Sequence, residues 1–117
     1  MNHRPDGHEV IVVDNASTDR TRDVVEEATI RCPMRPIRYF YEPIPGSLSG
    51  RHRGALEAEG DICAFLDDDV QVGRDWLTGL EDAFRDPAIV QVGGPSSPLI
   101  EKAPPDLWVR AASRPRN

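Results

Sequence analysis

The sequence ICAFLDDD at residues 62–69 leads an apolar, strand-like run directly into three carboxylates, Asp67–Asp69. An earlier apolar run, VIVV at residues 10–13, also ends in an acid, Asp14. Ligands of open α/β sheets bind beyond the carboxyl ends of the strands, so we expect these acids to face one ligand. Adjacent carboxylates repel each other and favour a bound cation. Mg²⁺ or Mn²⁺, which take oxygen ligands and also meet phosphate oxygens, are the simplest candidates.

Strands and helices alternate along most of the chain. Short apolar or β-branched runs predict four strands, and the segments between them carry helix-starting residues and apolar residues at helical spacing. This alternation predicts an α/β fold with a mainly parallel, Rossmann-like sheet flanked by helices. The predicted strands are 9–13, 37–41, 62–66 and 88–92, and the predicted helices start at 17–19, at 47–49 and at 74 and end near 31, 60 and 84.

Several side chains in these elements are assigned to packing or capping. Asp19 is expected to cap the first helix, whose inner face would carry the apolar residues at positions 24, 25, 28 and 30. The apolar residues of the third helix, at positions 76, 77 and 84, are expected in the core. Cys32 and Cys63 lie in no CxxC arrangement, which indicates reduced, buried thiols rather than a zinc site or a disulfide.

Length and charge limit the function further. The chain has 117 residues and a net charge of −6, which predicts one domain or part of one and excludes a basic nucleic-acid face. Residues 1–7 lack the apolar core of a signal peptide, and no run is long enough to span a membrane, so a cytoplasmic location is expected. We expect an irregular N-terminus at 1–8, the α/β domain at 9–95 and a proline-rich loop or tail at 96–117.

Four segments together resemble the family 2 glycosyltransferases of the GT-A fold. They are VIVVDNASTD at 10–19, GSLSGRHRG at 46–54, AFLDDD at 64–69 and DWL at 75–77. The resemblance lies in their order and spacing, because a DxD motif alone is common. It implies an incomplete GT-A nucleotide-sugar-binding domain whose donor is a nucleoside diphosphate sugar, with UDP- and dTDP-sugars the usual donors of the family.

The resemblance also implies roles for individual residues. Asp14 would contact the base of the nucleotide, and Arg51 would lie near the nucleotide. Asp67 and Asp69 match the outer acids of the DxD motif, which address the ribose and the metal on the diphosphate. Asp68, between them, is assigned to nucleotide binding, and Asp69 is the main predicted metal ligand. Position 52, usually asparagine in the family, is histidine here.

Two parts of the family pattern have no counterpart in this sequence. The family carries a further strand with a Pro-x-Tyr-Asn-like segment, which the resemblance places between the strands at 9–13 and 62–66. Its absence predicts marginal stability or self-association through an exposed strand edge. The family's general base lies beyond the DxD motif, but Glu101 and Asp106 follow no recognisable strand. The catalytic residue and the acceptor therefore stay unassigned.

Two alternatives to an active glycosyltransferase remain. The first is a non-catalytic fragment or pseudoenzyme that keeps nucleotide binding. The second is a haloacid-dehalogenase-like phosphatase, whose aspartyl nucleophile also lies in a DxD motif after an apolar strand. Val70 and Gln71 stand where that motif needs other residues, and the single lysine, Lys102, lies far along the chain, so the phosphatase is the weaker alternative.

Overall fold

A computed structural model of the chain describes residues 7–35, 37–97 and 99. The chain forms two compact units, Met1–Val70 and Gln71–Asn117. The first unit contains strand β1 (Val10–Asn15), helix α1 (Thr21–Arg31), strand β2 (Ile37–Glu42) and helix α2 (Ser47–Glu57), and the second contains helix α3 (Trp76–Ala83). The five elements confirm five of the predicted segments, each with small shifts at its ends. The domain boundaries predicted at residues 8 and 95 stay predictions.

The two strands pair in parallel, in a register that runs from Val10 opposite Ile37 to Asn15 opposite Glu42. Parallel neighbours need a crossover connection, and α1 supplies it. The first unit is therefore built on a βαβ unit, which confirms the α/β class.

Helices lie on both faces of this two-stranded sheet. Successive side chains of a strand point to opposite faces. On one face, Tyr39 of β2 and Val25 of α1 line the same groove. On the other face α2 lies close to β1, because a Cβ atom added at Gly54 would stand 3.5 Å from the Cγ2 of Val13. The result is three layers, helix on sheet on helix, in the first unit.

The buried core of the described residues is small. Val25 is its buried apolar residue, with 8% of its surface exposed. Val24 and Ile30, both expected on the inner face of α1, are 59% and 78% exposed, so that part of the prediction is wrong. Residues adjacent on a helix point about 100° apart. A sheet of two strands is narrow and covers a single stripe of α1, which Val25 occupies together with the half-buried Ala28.

The strands predicted at 62–66 and 88–92 do not form in the described structure. A strand needs a neighbour to satisfy its N–H and C=O groups. In the sheet order implied by the family resemblance, another strand separates β1 from residues 62–66, and among the described residues β1 pairs only with β2. Residues 62–66 therefore have no ladder to join, and Phe65 is 51% exposed.

The cysteines and α3 give two further outcomes. Cys32 and Cys63 are free, as predicted, but both are exposed, so the expectation of buried thiols is wrong. Within the second unit Trp76 and Phe84 are half-buried, whereas Leu77 is exposed.

No helix among the described residues is long and apolar enough to cross a membrane.

A charged cluster fixes the start of β1 to the segment that follows α2. The Oε1 atom of Glu9 accepts the backbone N–H groups of Glu59 (2.6 Å) and Gly60 (3.1 Å). Arg38 donates to the Oε2 atom of Glu9 at 2.7 Å and to the carbonyl of Glu57, the last residue of α2, at 2.9 Å. Burial raises the pKa of Glu9, but the hydrogen bonds from Glu59, Arg38 and Gly60 outweigh it and lower the pKa overall.

We expect Glu9→Gln to destabilise the chain by about 1–3 kcal/mol, because it removes a half-buried charge that accepts several hydrogen bonds. The free energy of unfolding from urea titrations followed by circular dichroism measures this effect. The matched control is Glu26→Gln, which breaks an exposed pair with Arg22 on α1 and should cost less than about 0.5 kcal/mol. Equal effects of the two variants would contradict a structural role for Glu9.

Candidate functional site

The carboxyl ends of β1 and β2 and the start of α2 form one edge of the first unit. After β1 the chain turns sharply: Ala16 has a φ of 58°, and its N–H donates to the carbonyl of Asp14 at 3.1 Å. A positive φ is unusual for a residue with a side chain and costs on the order of 1 kcal/mol. The bend turns the chain away from the sheet immediately after the two polar residues Asp14 and Asn15.

Asp14 lies inside this edge, with 5% of its surface exposed. Its Oδ1 atom accepts the backbone N–H of Ser17 at 2.9 Å, and its Oδ2 atom accepts the Tyr39 hydroxyl at 2.6 Å. Hydrogen bonds from the Ser17 side chain and from Tyr39 lower the pKa of Asp14 below its ordinary 3.8, although burial acts in the opposite direction. The same bond to Asp14 raises the pKa of Tyr39 to about 12. Asp14 is thus an ionised acceptor that also holds the loop after β1.

The predicted role of Asp14 in contacting a nucleotide base is limited by this burial. The carboxylate has about four lone pairs in all, so it retains capacity for a donor beyond Ser17 and Tyr39. The structure leaves only a narrow approach to them. Asp19 was expected to cap α1, and this prediction is wrong, because Arg20 occupies the cap position and no side chain caps the helix. The Oδ1 atom of Asp19 instead accepts the N–H of Thr21, the first residue of α1, at 3.0 Å.

Asn15 is a site residue that sequence reasoning missed. Its Nδ2 atom donates to the carbonyl of Ile44 at 2.6 Å and of Glu42 at 3.4 Å, and its Oδ1 atom accepts the N–H of Gly46 at 2.7 Å. The side chain therefore connects the end of β1 to the loop that leads into α2. Its partners lie 27 to 31 residues further along the chain, and no local sequence pattern pointed to them.

Arg51 and Asp67, predicted from two different motifs to address the same ligand, are in contact. The Nη2 atom of Arg51 lies 2.9 Å from the Oδ1 atom of Asp67. Their side chains are 50% and 63% exposed, so the pair lies at the surface. The neighbouring Arg53 instead pairs with Glu57 at 2.9 Å along α2, the ordinary pairing of residues four apart on a helix, and both side chains are half-buried.

Asp68 and Asp69 lie in an exposed turn, in which the N–H of Val70 donates to the carbonyl of Asp67 at 3.2 Å. Among residues 7–35, 37–97 and 99 no group of three His, Cys, Asp or Glu side chains is placed to hold a metal ion. The donor chemistry still fits Mg²⁺ or Mn²⁺, because such ions bind through one or two carboxylates and complete their shell with water and substrate phosphates. Asp67 and Asp69 would be those two carboxylates.

A parallel βαβ unit covered by helices on both faces, with acids beyond its strands, defines an α/β ligand-binding domain of the Rossmann-like class. The comparison with known families makes this assignment specific. Residues 2–105 match the sequence profile described as "Glycosyl transferase family 2", and the chain belongs to this family. The match confirms the resemblance, and it favours sugar transfer over the phosphatase alternative.

Curated relatives agree with the family. A validoxylamine A glucosyltransferase of Streptomyces hygroscopicus subsp. limoneus is 34% identical over 91% of this chain and 26% of its own length. A dolichol-phosphate mannosyltransferase of Pyrococcus furiosus is 31% identical over 74% of this chain and 24% of its own length. The succinoglycan biosynthesis protein ExoM of Rhizobium meliloti is 36% identical over 74% of this chain and 28% of its own length.

The chain thus spans about a quarter of the length of these relatives. No solved structure matches the chain significantly.

The bond between Asp14 and Tyr39 predicts how stability depends on pH. The pKa of Asp14 is lower in the folded chain than its ordinary 3.8, so its contribution is complete above that value and is lost as pH falls through the folded pKa. The pKa of Tyr39 is raised from 10.0 to about 12, so its contribution is complete below pH 10.0 and is lost as pH rises through about 12.

Tyr39→Phe tests this linkage. Removing the hydroxyl should raise the pKa of Asp14, which an NMR titration of the side-chain carboxyl carbon measures directly. Acid unfolding should then begin at a higher pH than in the unmodified chain. Tyr41→Phe, at an exposed tyrosine of the same strand, is the control and should leave the Asp14 titration unchanged. An Asp14 pKa that does not move in Tyr39→Phe would show that the hydrogen bond does not set it.

Proposed function

We propose that the chain is the donor-binding part of a glycosyltransferase that moves a sugar from a nucleoside diphosphate sugar to an acceptor hydroxyl, assisted by a divalent cation. The contact between Arg51 and Asp67 carries the proposal, because two residues predicted from separate motifs to bind one ligand lie 2.9 Å apart. The family match supports sugar transfer in general. We call Asp14, Arg51, Asp67, Asp68 and Asp69 the donor site.

Each residue of the donor site has a proposed role. Asp14 accepts a hydrogen bond from the nucleotide base, and its ionised state suits an imide N–H such as that of uracil or thymine. Asp67 accepts from the ribose, Asp68 takes part in nucleotide binding, and Asp69, with Asp67, holds the cation. The guanidinium of Arg51 offers a planar pair of donors that matches phosphate oxygens.

The chemistry of donor cleavage explains why charge is concentrated here. As the bond from the sugar to the diphosphate breaks, negative charge grows on the phosphate oxygens. A bound divalent cation supplies a Lewis acid for that charge without a proton from the protein. Arg51 adds a fixed positive charge and orients the diphosphate, while the carboxylates keep the cation in place.

The acceptor side is not assigned. A general base must lie within hydrogen-bond reach of the acceptor hydroxyl. The acids considered from the sequence, Glu101 and Asp106, lie outside the described residues.

UDP- and dTDP-sugars are the proposed donors. The free state of both cysteines is compatible with a reducing compartment, and the cytoplasm is the proposed location.

One alternative keeps the site but not the reaction. A non-catalytic polypeptide would bind the nucleotide at the same donor site without transferring the sugar. In either case self-association is proposed through the edge of β1 that stays unpaired among the described residues. A turnover assay with labelled nucleotide sugars separates this alternative from an active transferase.

Calorimetric titration of the 117-residue chain with UDP, with and without Mn²⁺, tests the donor site. We expect binding that depends on Mn²⁺ and weakens at least about tenfold, or ~1.4 kcal/mol, in Asp69→Asn, because this variant loses a charged metal ligand but keeps the side-chain shape. Asp61→Asn, which changes an exposed acid outside the donor site, is the matched control and should bind as the unmodified chain does.

The outcomes distinguish the proposals, provided that circular dichroism shows each variant to be folded. Metal-independent UDP binding would remove the cation from the proposal. Equal losses of UDP affinity in Asp69→Asn and Asp61→Asn would show that net charge, and not a metal ligand, causes the loss. A folded chain that binds none of UDP, dTDP and GDP would refute the donor site.

A further inference from the structure

We propose that Asn15 is a positioning residue of the donor site, which fixes the first turn of α2 and thereby places Arg51 against Asp67. The inference rests on the proposed function and adds a residue to which no role has been given. It follows from the contacts of one side chain at the end of β1, the strand that also carries Asp14.

The Asn15 amide uses both kinds of hydrogen-bonding group. A primary amide offers two donor hydrogens and one acceptor oxygen. The Nδ2 atom lies 2.6 Å from the carbonyl oxygen of Ile44, and the Oδ1 atom accepts the N–H of Gly46 at 2.7 Å. A longer bond of 3.4 Å reaches the carbonyl oxygen of Glu42. One side chain thus holds the loop between β2 and α2 at both of its ends.

The backbone of this loop has few hydrogen-bond donors. Pro43 and Pro45 have no N–H group, so the amide hydrogens of residues 43–46 come from Ile44 and Gly46 alone. The N–H of Ile44 donates to the Glu42 side chain at 2.9 Å, and the N–H of Gly46 donates to Asn15. Side chains therefore satisfy both amides, and Asn15 supplies the link to β1.

The start of α2 depends on the hydrogen bond from the N–H of Gly46 to Asn15. Gly46 precedes the helix with a φ of 123°, a conformation that favours glycine, and no side chain caps the helix. Further along α2, Gly50 faces the Asn15 side chain, since a Cβ atom added at Gly50 would be in ordinary van der Waals contact with the Cβ atom of Asn15 at 3.7 Å. Arg51 follows Gly50 directly, and its guanidinium reaches Asp67 at 2.9 Å.

These contacts form a continuous path from Asn15 through the first turns of α2 to Arg51. A shift of the helix start would move Arg51 relative to Asp14, which precedes Asn15 on the strand. Asn15 would thus act on the ligand through the placement of Arg51 without touching the ligand itself. Glu9 offers the natural comparison, because it attaches the far end of the α2 segment to the other end of β1.

The test compares Asn15→Asp with Glu9→Gln. Asn15→Asp keeps an acceptor for the N–H of Gly46 but loses the donor to Ile44 and places a negative charge against its carbonyl. UDP affinity is measured by calorimetry with Mn²⁺ at a temperature where circular dichroism shows every variant to be folded. We expect at least a tenfold loss of affinity in Asn15→Asp, and wild-type affinity in Glu9→Gln despite its lower stability.

A double-mutant cycle shows whether Asn15 acts through Arg51. Arg51→Gln alone should weaken UDP binding, and adding Asn15→Asp to it should cause less than a twofold further loss. Full additivity of the two losses would overturn the proposal, since it would make the effect of Asn15 independent of Arg51. Asn15→Ser, whose side chain is too short for the loop, replaces Asn15→Asp if the latter does not fold.

The remaining outcomes are also decisive. If Asn15→Asp binds UDP as tightly as the unmodified chain, the donor site stands and the role of Asn15 is refuted. If both Asn15 variants unfold where Glu9→Gln stays folded, Asn15 is a folding residue and the proposal fails. If the unmodified chain binds none of UDP, dTDP and GDP, the proposed function fails first and the role of Asn15 fails with it.

Discussion

Polar side chains at the two ends of β1 hold α2 against the sheet, and the arrangement of the first unit depends on them. Glu9, before the strand, accepts the backbone N–H groups of Glu59 and Gly60 just after α2. Asn15, the last residue of the strand, bonds the loop just before α2. Between these two points α2 packs on β1, since a Cβ atom added at Gly54 would be in van der Waals contact with the Cγ2 of Val13 at 3.5 Å. The helix is thus fixed at both ends and in the middle.

This dependence on polar contacts follows from the width of the sheet. Parallel sheets are normally buried on both faces, and their stability comes mainly from apolar burial. A sheet of two strands provides little surface for that, and Val25 is the buried apolar residue of the described part. Hydrogen bonds to charged groups, typically about 1.5–3 kcal/mol each, then form a larger share of the stabilising free energy. The Glu9 cluster and the bond between Asp14 and Tyr39 are such contacts.

Local patterns predicted the three helices and the two strands that pair with each other in the described part of the chain. The apolar runs at β1 and β2 and the helical spacing in α1, α2 and α3 were sufficient to locate all five elements. Residues 62–66 carry an equally good strand pattern, yet a strand also needs a neighbouring strand, which a local pattern does not specify. Asn15 was missed for the same reason, because its partners lie in a loop after β2 and its role depends on how the chain folds back. The order of the motifs assigned Arg51 and Asp67 to one ligand and so predicted that they lie near each other, but it did not predict their ion pair.

The exposure of the Arg51–Asp67 pair bears on the proposed function. Exposed ion pairs contribute about 0–1 kcal/mol, so this one adds little to stability and its partners separate at little cost. The proposed donor site would use that property, because a bound cation would replace Arg51 beside Asp67 and Arg51 would turn to the diphosphate. Asp14 shows the opposite arrangement: it is buried, and its two oxygens are already bonded to Ser17 and Tyr39. The proposed site therefore combines a fixed acceptor at the end of β1 with exchangeable charges on α2 and at residues 67–69, and Asn15 sets the distance between the two.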